Sequence, residues 1–162
     1  MTEGRRKEFE HFAAFADPER RDTIPDPQSP ETFRRSTLDW SARQQAEHAG
    51  CLRWYRSLLQ LRARLLAIAQ FDSVRAIHDA AITVRWRSAA GCLVAVVALE
   101  AANVPLPEGH GMQTVLTSED NRFLHDTQPA RWEPAAGVLE FSRPGAAILA
   151  TSDLARMFSE DK

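Results

Sequence analysis

The segment from Ile24 to Trp40, IPDPQSPETFRRSTLDW, decides how the chain is organised. It holds three prolines within six residues: Pro25, Pro27 and Pro30. Each proline fixes its own φ angle, lacks a backbone donor and disfavours the α region for the residue before it. We therefore predict a long loop. Phe33 and Trp40 argue against disorder, because a flexible linker has no use for large aromatic side chains, so we expect the loop to be held against a core.

Two predicted helices flank this loop. The first covers Thr2–Phe15 and ends at Asp17-Pro18, and the second covers Ser41–Leu66 with Ser41 as its N-cap. Apolar side chains of the second helix recur at helical spacing, at Trp54, Leu58, Leu61 and Leu65, with Leu52, Tyr55 and Leu59 beside them. Such an amphipathic helix must cover an apolar surface.

After Ala67 the apolar pattern changes from helical to strand spacing. The predicted strands are Ala81–Arg87, Cys92–Leu99, Met112–Thr117, Gly137–Phe141 and Ala146–Thr151. Loops are expected over Asn103–Gly111 and Ser118–Ala136, with Gly145 at a turn position of positive φ. Residues Asp153–Phe158 are expected to form a short helix or a frayed end. The sequence therefore predicts an α+β chain that ends in a small antiparallel β-sheet or sandwich domain.

Charge and cysteine content limit the classes of partner and compartment. The chain has 162 residues, with 20 Lys and Arg against 22 Asp and Glu, and this balance gives no signature of nucleic-acid binding. Cys51 and Cys92 are expected to be buried free thiols, which fits the cytoplasm. The longest apolar run, Cys92–Leu99, is too short to cross a bilayer, so we expect no membrane partner.

No pattern of residues typical of a metal, a cofactor or a catalytic pair is present. The five histidines, His11, His48, His78, His110 and His125, show no ligand spacing, so we assign no metal. The glycines are scattered and form no phosphate loop, so we assign no cofactor. We also find no pair of carboxylates suited to glycoside hydrolysis, and we assign no catalytic residue.

Several short motifs in the first part of the chain carry a resemblance to a known family. In order they are Gly4–Phe9, Pro25–Gln28, Glu31–Phe33, Ser36–Trp40 and Tyr55–Arg62, or GRRKEF, PDPQ, ETF, STLDW and YRSLLQLR. In this order they resemble the C-terminal part of malto-oligosyltrehalose trehalohydrolase, of the α-amylase family of glycoside hydrolases. The resemblance is specific from Gly4 to Leu66 and looser beyond.

The resemblance implies a division of the chain and a function. Residues 1–70 would be the last loop and helix of a (β/α)₈ barrel, and residues 71–162 a C-terminal antiparallel β domain. The family hydrolyses the α-1,4-glucosidic bond next to the terminal trehalose of a malto-oligosaccharide. Its catalytic carboxylates would lie upstream of Met1, so the chain alone is predicted to be inactive. The implied partners are the N-terminal barrel portion and a trehalose-terminated glucan.

Two residues are candidates for contact with the sugar. Loops that follow barrel strands line the active-site face, so the resemblance places Asp26 and Gln28 at the border of the cleft. Alternatively, both hydrogen-bond only the local backbone, as Asp before Pro commonly does.

Two other functions fit the sequence. The chain can be a stand-alone α-glucan-binding β module that uses Trp132 or Trp86, although Trp132 also fits a loop anchor and Trp86 a core residue. It can also be the C-terminal part of a related glucan branching enzyme.

Overall fold

The chain divides into two units, Met1–Ala42 and Arg43–Lys162. The computed structural model describes residues 4, 7, 8, 12, 25–107, 109–123 and 128–159. Of the predicted helix Thr2–Phe15, Gly4, Lys7 and Glu8 are helical, and most of the remainder, with its end at Asp17-Pro18, lies outside the described residues.

The first unit contains a helix in the proline-containing segment that was predicted to be a loop. Helix α1 (Pro30–Ser36) begins after Ser29, whose hydroxyl accepts a hydrogen bond from the Glu31 backbone N–H at 3.2 Å. Pro30 is the first helical residue, where its missing N–H has no helical partner to lose. The prediction of a loop throughout Ile24–Trp40 is therefore wrong over this helix.

The large apolar side chains that the structure describes in this unit are exposed. Helix α1 buries none of its residues, and the exposed fractions of Phe33, Leu38 and Trp40 lie between 72% and 74%. The expected packing of Phe33 and Trp40 against a core is not observed.

The long predicted helix is present but begins later than expected. Helix α2 covers Ala46–Ile68, and a short 3₁₀ helix, η1 (Trp40–Gln44), precedes it. Ser41 therefore lies within η1 and is not the N-cap. Gln45 occupies the cap position of α2 and makes no capping hydrogen bond through its side chain.

In the described part of the second unit, eight antiparallel strands form two sheets. They are β1 (Gln70–Ile77), β2 (Ala81–Ser88), β3 (Gly91–Ala98), β4 (Ala102–Pro105), β5 (Met112–Thr117), β6 (Arg131–Glu133), β7 (Val138–Phe141) and β8 (Gly145–Thr151). The large sheet has the order β1-β2-β3-β8-β5, and the small sheet has the order β4-β7-β6. Helix α3 (Ser152–Ser159) follows β8. The five predicted strands and the short C-terminal helix are confirmed.

Strands β1, β4 and β6 were not predicted, and each had a weak signal in the sequence. Strand β1 is a sheet edge with a bulge between Phe71 and Ser73, so its apolar residues do not alternate regularly. Strands β4 and β6 have only four and three residues and lie in proline-containing stretches that were expected to be irregular.

The large sheet lies between two other layers. On one face Val94, Val96 and Leu149 belong to a core shared with Val104, Leu139 and Phe141, which lie in or beside the small sheet. On the other face Leu93, Ile148 and Ala150 pack with Leu65 of α2 and Leu154 of α3. The second unit is therefore a three-layer arrangement of small sheet, large sheet and helices.

Gly145 does not have the predicted positive φ angle. The glycines with positive φ are Gly91, Gly111 and Gly137. A Cβ atom at Gly145 would lie 3.3 Å from the Ser118 hydroxyl oxygen and 3.4 Å from Glu119 Cγ, so close packing explains this glycine.

Candidate functional site

Asp26 and Gln28, the predicted sugar contacts, are both exposed in the first unit. Asp26 Oδ1 accepts a hydrogen bond from the Gln28 backbone N–H at 3.0 Å, and the Asp26 carbonyl accepts one from Ser29 N–H at 3.1 Å. This turn agrees with the alternative of local hydrogen bonding. The Gln28 side chain is exposed in this turn. Contact of Asp26 and Gln28 with a sugar remains a prediction.

Two acidic side chains of the β domain lie beside arginines. Asp72 pairs with Arg87 at 2.9 Å, and the buried Glu119 carboxylate lies 2.6 Å from Arg143 Nη2, in an alignment that falls short of a hydrogen bond. Among the described residues no group of three or more His, Cys, Asp and Glu side chains could hold a metal ion.

The candidate tryptophans both have structural partners. The Trp132 indole N–H donates to the Met112 carbonyl at 3.0 Å, and its ring fills the space over Gly109, where a Cβ atom would lie 2.5 Å from the indole. This agrees with the interpretation of Trp132 as a loop anchor. Trp86 is half-buried and packs beside the cluster formed by the large sheet and α2.

Helix α2 has apolar side chains on two of its faces. Leu65 is buried and Trp54, Leu58 and Leu61 are partly buried against the large sheet, which confirms the predicted stripe as a packing surface. A second set forms what we call the apolar flank: Leu52, Tyr55, Leu59 and Leu66. The exposed fractions of Tyr55, Leu59 and Leu66 are 59%, 57% and 61%. Cys51 is also exposed, which corrects the expectation of two buried thiols.

The helix side of the large sheet carries a second exposed apolar area, which we call the sheet patch: Phe71, Val74, Ile82 and Val97. In the register Val74 lies opposite Val84, which lies opposite Ala95, a residue packed beside the helix-side core. Residues directly opposite one another share a face, so the patch lies on the face that α2 covers elsewhere.

The apolar flank is directed towards this patch. The polar residues Ser57, Gln60 and Arg64 of α2 lie beside β5, the edge strand opposite β1. Because successive residues turn by about 100° around a helix, Tyr55 and Leu59 lie on the flank facing the β1 side. The apolar flank and the sheet patch together form what we call the apolar corner.

On the polar side of α2 a groove of about 560 Å³ separates the helix from β5 and the segment after it. Its lining includes Ser57, Gln60, Arg64, Thr114, Asp120, Asn121, Arg122 and Phe158. The Arg122 guanidinium binds both Asp120 carboxylate oxygens, through Nε at 2.9 Å and Nη2 at 2.8 Å. These hydrogen bonds raise the pKa of Arg122 and fix the orientation of its side chain.

Comparison with known proteins gives several relatives that share one name. No family model matches the chain. A malto-oligosyltrehalose trehalohydrolase from Rhizobium sp. (strain M-11) is 33% identical over 161 residues, which are 96% of this chain and 20% of that protein. The proteins of the same name from Arthrobacter ramosus and Brevibacterium helvolum are 39% identical over 126 residues and 37% identical over 123 residues. They are covered over 19% and 20% of their lengths, so the chain spans about a fifth of these relatives.

A solved structure agrees with these relatives. The crystal structure of a candidate α-amylase from Salmonella typhimurium matches 93% of this chain with a TM-score of 0.58 and 28% identity. The match covers 23% of that protein.

The fold and these matches indicate the class of protein: the chain resembles part of a glycosidase of the α-amylase family. In particular, it resembles the C-terminal part of malto-oligosyltrehalose trehalohydrolase, which confirms the resemblance carried by the sequence motifs. Among the described residues, no helix has the length and apolar character needed to span a membrane.

Proposed function

We propose that the chain is the non-catalytic C-terminal part of a cytoplasmic malto-oligosyltrehalose trehalohydrolase. In this proposal residues 1–70 complete a (β/α)₈ barrel, and residues 71–162 form the β domain beside it. The whole enzyme hydrolyses the α-1,4-glucosidic bond next to the terminal trehalose and releases trehalose. The names of the relatives and the share of them that the chain spans support this assignment.

The apolar corner is the observation that carries the proposal. Monomeric soluble proteins rarely leave large contiguous apolar areas exposed. Here both a helix flank and the adjacent sheet face are exposed, with Leu59, Leu66, Phe71 and Val74 each more than half accessible. Covering an apolar side chain of this size contributes about 2 kcal/mol, so docking would stabilise the chain substantially.

The proposed occupant of the corner is the outer surface of the barrel. One face of α2 already packs on the sheet, so the apolar flank is available to pack on a second body. A helix with apolar side chains on two sides fits a position between two layers. Asp26 and Gln28 precede this helix, and in the whole enzyme we expect them to border the sugar cleft.

A chimera tests this function. The segment of the Rhizobium sp. (strain M-11) relative that aligns with this chain is replaced by residues 1–162, and trehalose release from maltotriosyl-trehalose is measured. We expect the chimera to be soluble and to retain activity, because the chain supplies the same docking surface. The same host without its C-terminal segment is the control and should be insoluble or inactive.

Two outcomes would contradict the proposal. One is a chimera that fails to fold while the unaltered relative, produced in parallel, is soluble and active. The other is trehalose release by residues 1–162 alone, since we place the catalytic carboxylates outside this chain.

A further inference from the structure

The groove on the polar side of α2 is bordered by several residues with neutral polar side chains. Ser57, Gln60, Thr114 and Asn121 line it, and their side chains form no hydrogen bond with another described residue. The two amides each offer donors and an acceptor, and each hydroxyl can both donate and accept. Such a set matches a ligand that carries many hydroxyl groups.

The groove is also held in shape before any ligand binds. The Arg53 side chain donates to the Arg122 carbonyl at 2.7 Å, which ties the segment after β5 to α2. The Phe123 ring packs edge-on against Trp54, with ring centres 5.3 Å apart. A site whose walls are already ordered loses less entropy on binding, which favours affinity.

The charges lining the groove are partly balanced within it. Asp120 binds the Arg122 guanidinium through both of its oxygens, so these two charges offset each other within the wall. Leu61 and Phe158 add an apolar area to the lining. Hydroxyl partners, an apolar area and a volume within the usual range for ligand sites together fit the two faces of a sugar ring.

From these observations we propose that the groove is a second, non-catalytic binding site for an α-linked glucose oligosaccharide. The choice of an α-linked glucan rests on the proposed function. The groove and the apolar corner lie on opposite flanks of α2, so docking of the corner would leave the groove accessible.

Nuclear magnetic resonance on the whole chain tests the site with maltoheptaose as the probe and cellohexaose as the stereochemical control. We expect maltoheptaose to shift the side-chain amide signals of Gln60 and Asn121, with saturation in the millimolar range or below. Cellohexaose should leave them unchanged. No shift of these two signals, or equal shifts with both sugars, would overturn the proposal.

Matched variants locate the site. The pair Gln60→Ala and Asn121→Ala should weaken maltoheptaose binding at least about tenfold, because two hydrogen-bonding partners are removed. The control pair Gln70→Ala and Asn103→Ala removes two exposed amides outside the groove and should leave binding unchanged. Equal affinities of the two pairs would overturn the assignment to this groove. Loss of glucan binding would leave the chimera result unaffected, so failure of the site and failure of the proposed function are distinguishable.

Discussion

Gly50 lies at the point where α2 meets the backbone of the segment after β5. A Cβ atom at this position would overlap the Phe123 carbonyl group. This group belongs to the backbone, so it cannot move aside by a side-chain rotation. Glycine is unfavourable inside a helix by about 1 kcal/mol relative to alanine. Its presence here is explained by this close approach.

The variant Gly50→Ala should therefore be less stable, although alanine favours helix formation. We expect its free energy of unfolding to fall by about 2 kcal/mol, as for other overpacked cores, in urea unfolding. The variant Ala63→Gly, at an exposed position of the same helix, measures the effect of helix propensity alone. Its free energy of unfolding should fall by about 1 kcal/mol. A stabilised Gly50→Ala protein would contradict the close approach.

Asp39 gives a prediction about pH. Its Oδ1 accepts hydrogen bonds from the Ser41 hydroxyl at 2.6 Å and from the Ser41 backbone N–H at 2.9 Å. These bonds lower the pKa of the Asp39 carboxyl below its ordinary value of 3.8. The turn is therefore stabilised by the ionised carboxylate above the ordinary pKa, and this contribution is lost as the pH falls through the lowered value.

A nuclear magnetic resonance titration of the Asp39 carboxyl carbon measures this pKa. Ser41→Ala should move it back towards 3.8, because the hydroxyl donor is removed. An Asp39 that titrates at or above 3.8 in the unaltered chain would show that the turn does not form.

Sequence patterns predicted elements better than individual roles of residues. The helical spacing of Trp54, Leu58 and Leu61 identified α2 and its sheet-packing face, since burial repeats with the helical period. The exposure of Leu59 and Tyr55 could not be read from the same pattern, because apolar residues look alike whether or not their partner is in the chain. The role of Gly50 depends on Phe123, which is distant in sequence and carries no local signal.

The two apolar faces of α2 should respond differently to polar substitution. The pair Leu59→Ser and Leu66→Ser on the apolar flank should change the free energy of unfolding by about 1 kcal/mol or less in total, because both side chains are exposed. The pair Leu58→Ser and Leu61→Ser on the sheet-packing face should cost about 3 kcal/mol or more.

Light scattering on the same proteins tests the apolar flank as an interaction surface. The unaltered chain should self-associate or precipitate through its exposed apolar corner. The flank pair should be more soluble and closer to monomeric. A clean monomer of the unaltered chain, or equal loss of stability in both pairs, would contradict the distinction between the two faces.

At the scale of the whole molecule, the β domain is asymmetric around its large sheet. The small sheet covers one face, while α2 and α3 cover only part of the other, since α3 contacts β3, β5 and β8. Phe71 and Val74 of β1 and Ile82 of β2 are exposed, so the helices leave the region of β1 and β2 uncovered. In the proposed whole enzyme, the catalytic barrel fills this place.

Thiol labelling in the chimera tests that claim most directly. Cys51 and Cys92 are replaced by serine, and a single cysteine is introduced as Leu59→Cys on the apolar flank or as Gln60→Cys on the polar side. We expect both to react readily with a maleimide in the isolated chain. In the chimera the cysteine at 59 should react at least about tenfold more slowly, and the cysteine at 60 at an unchanged rate. Equal reactivity of both positions in a folded, active chimera would show that the barrel does not cover the apolar corner.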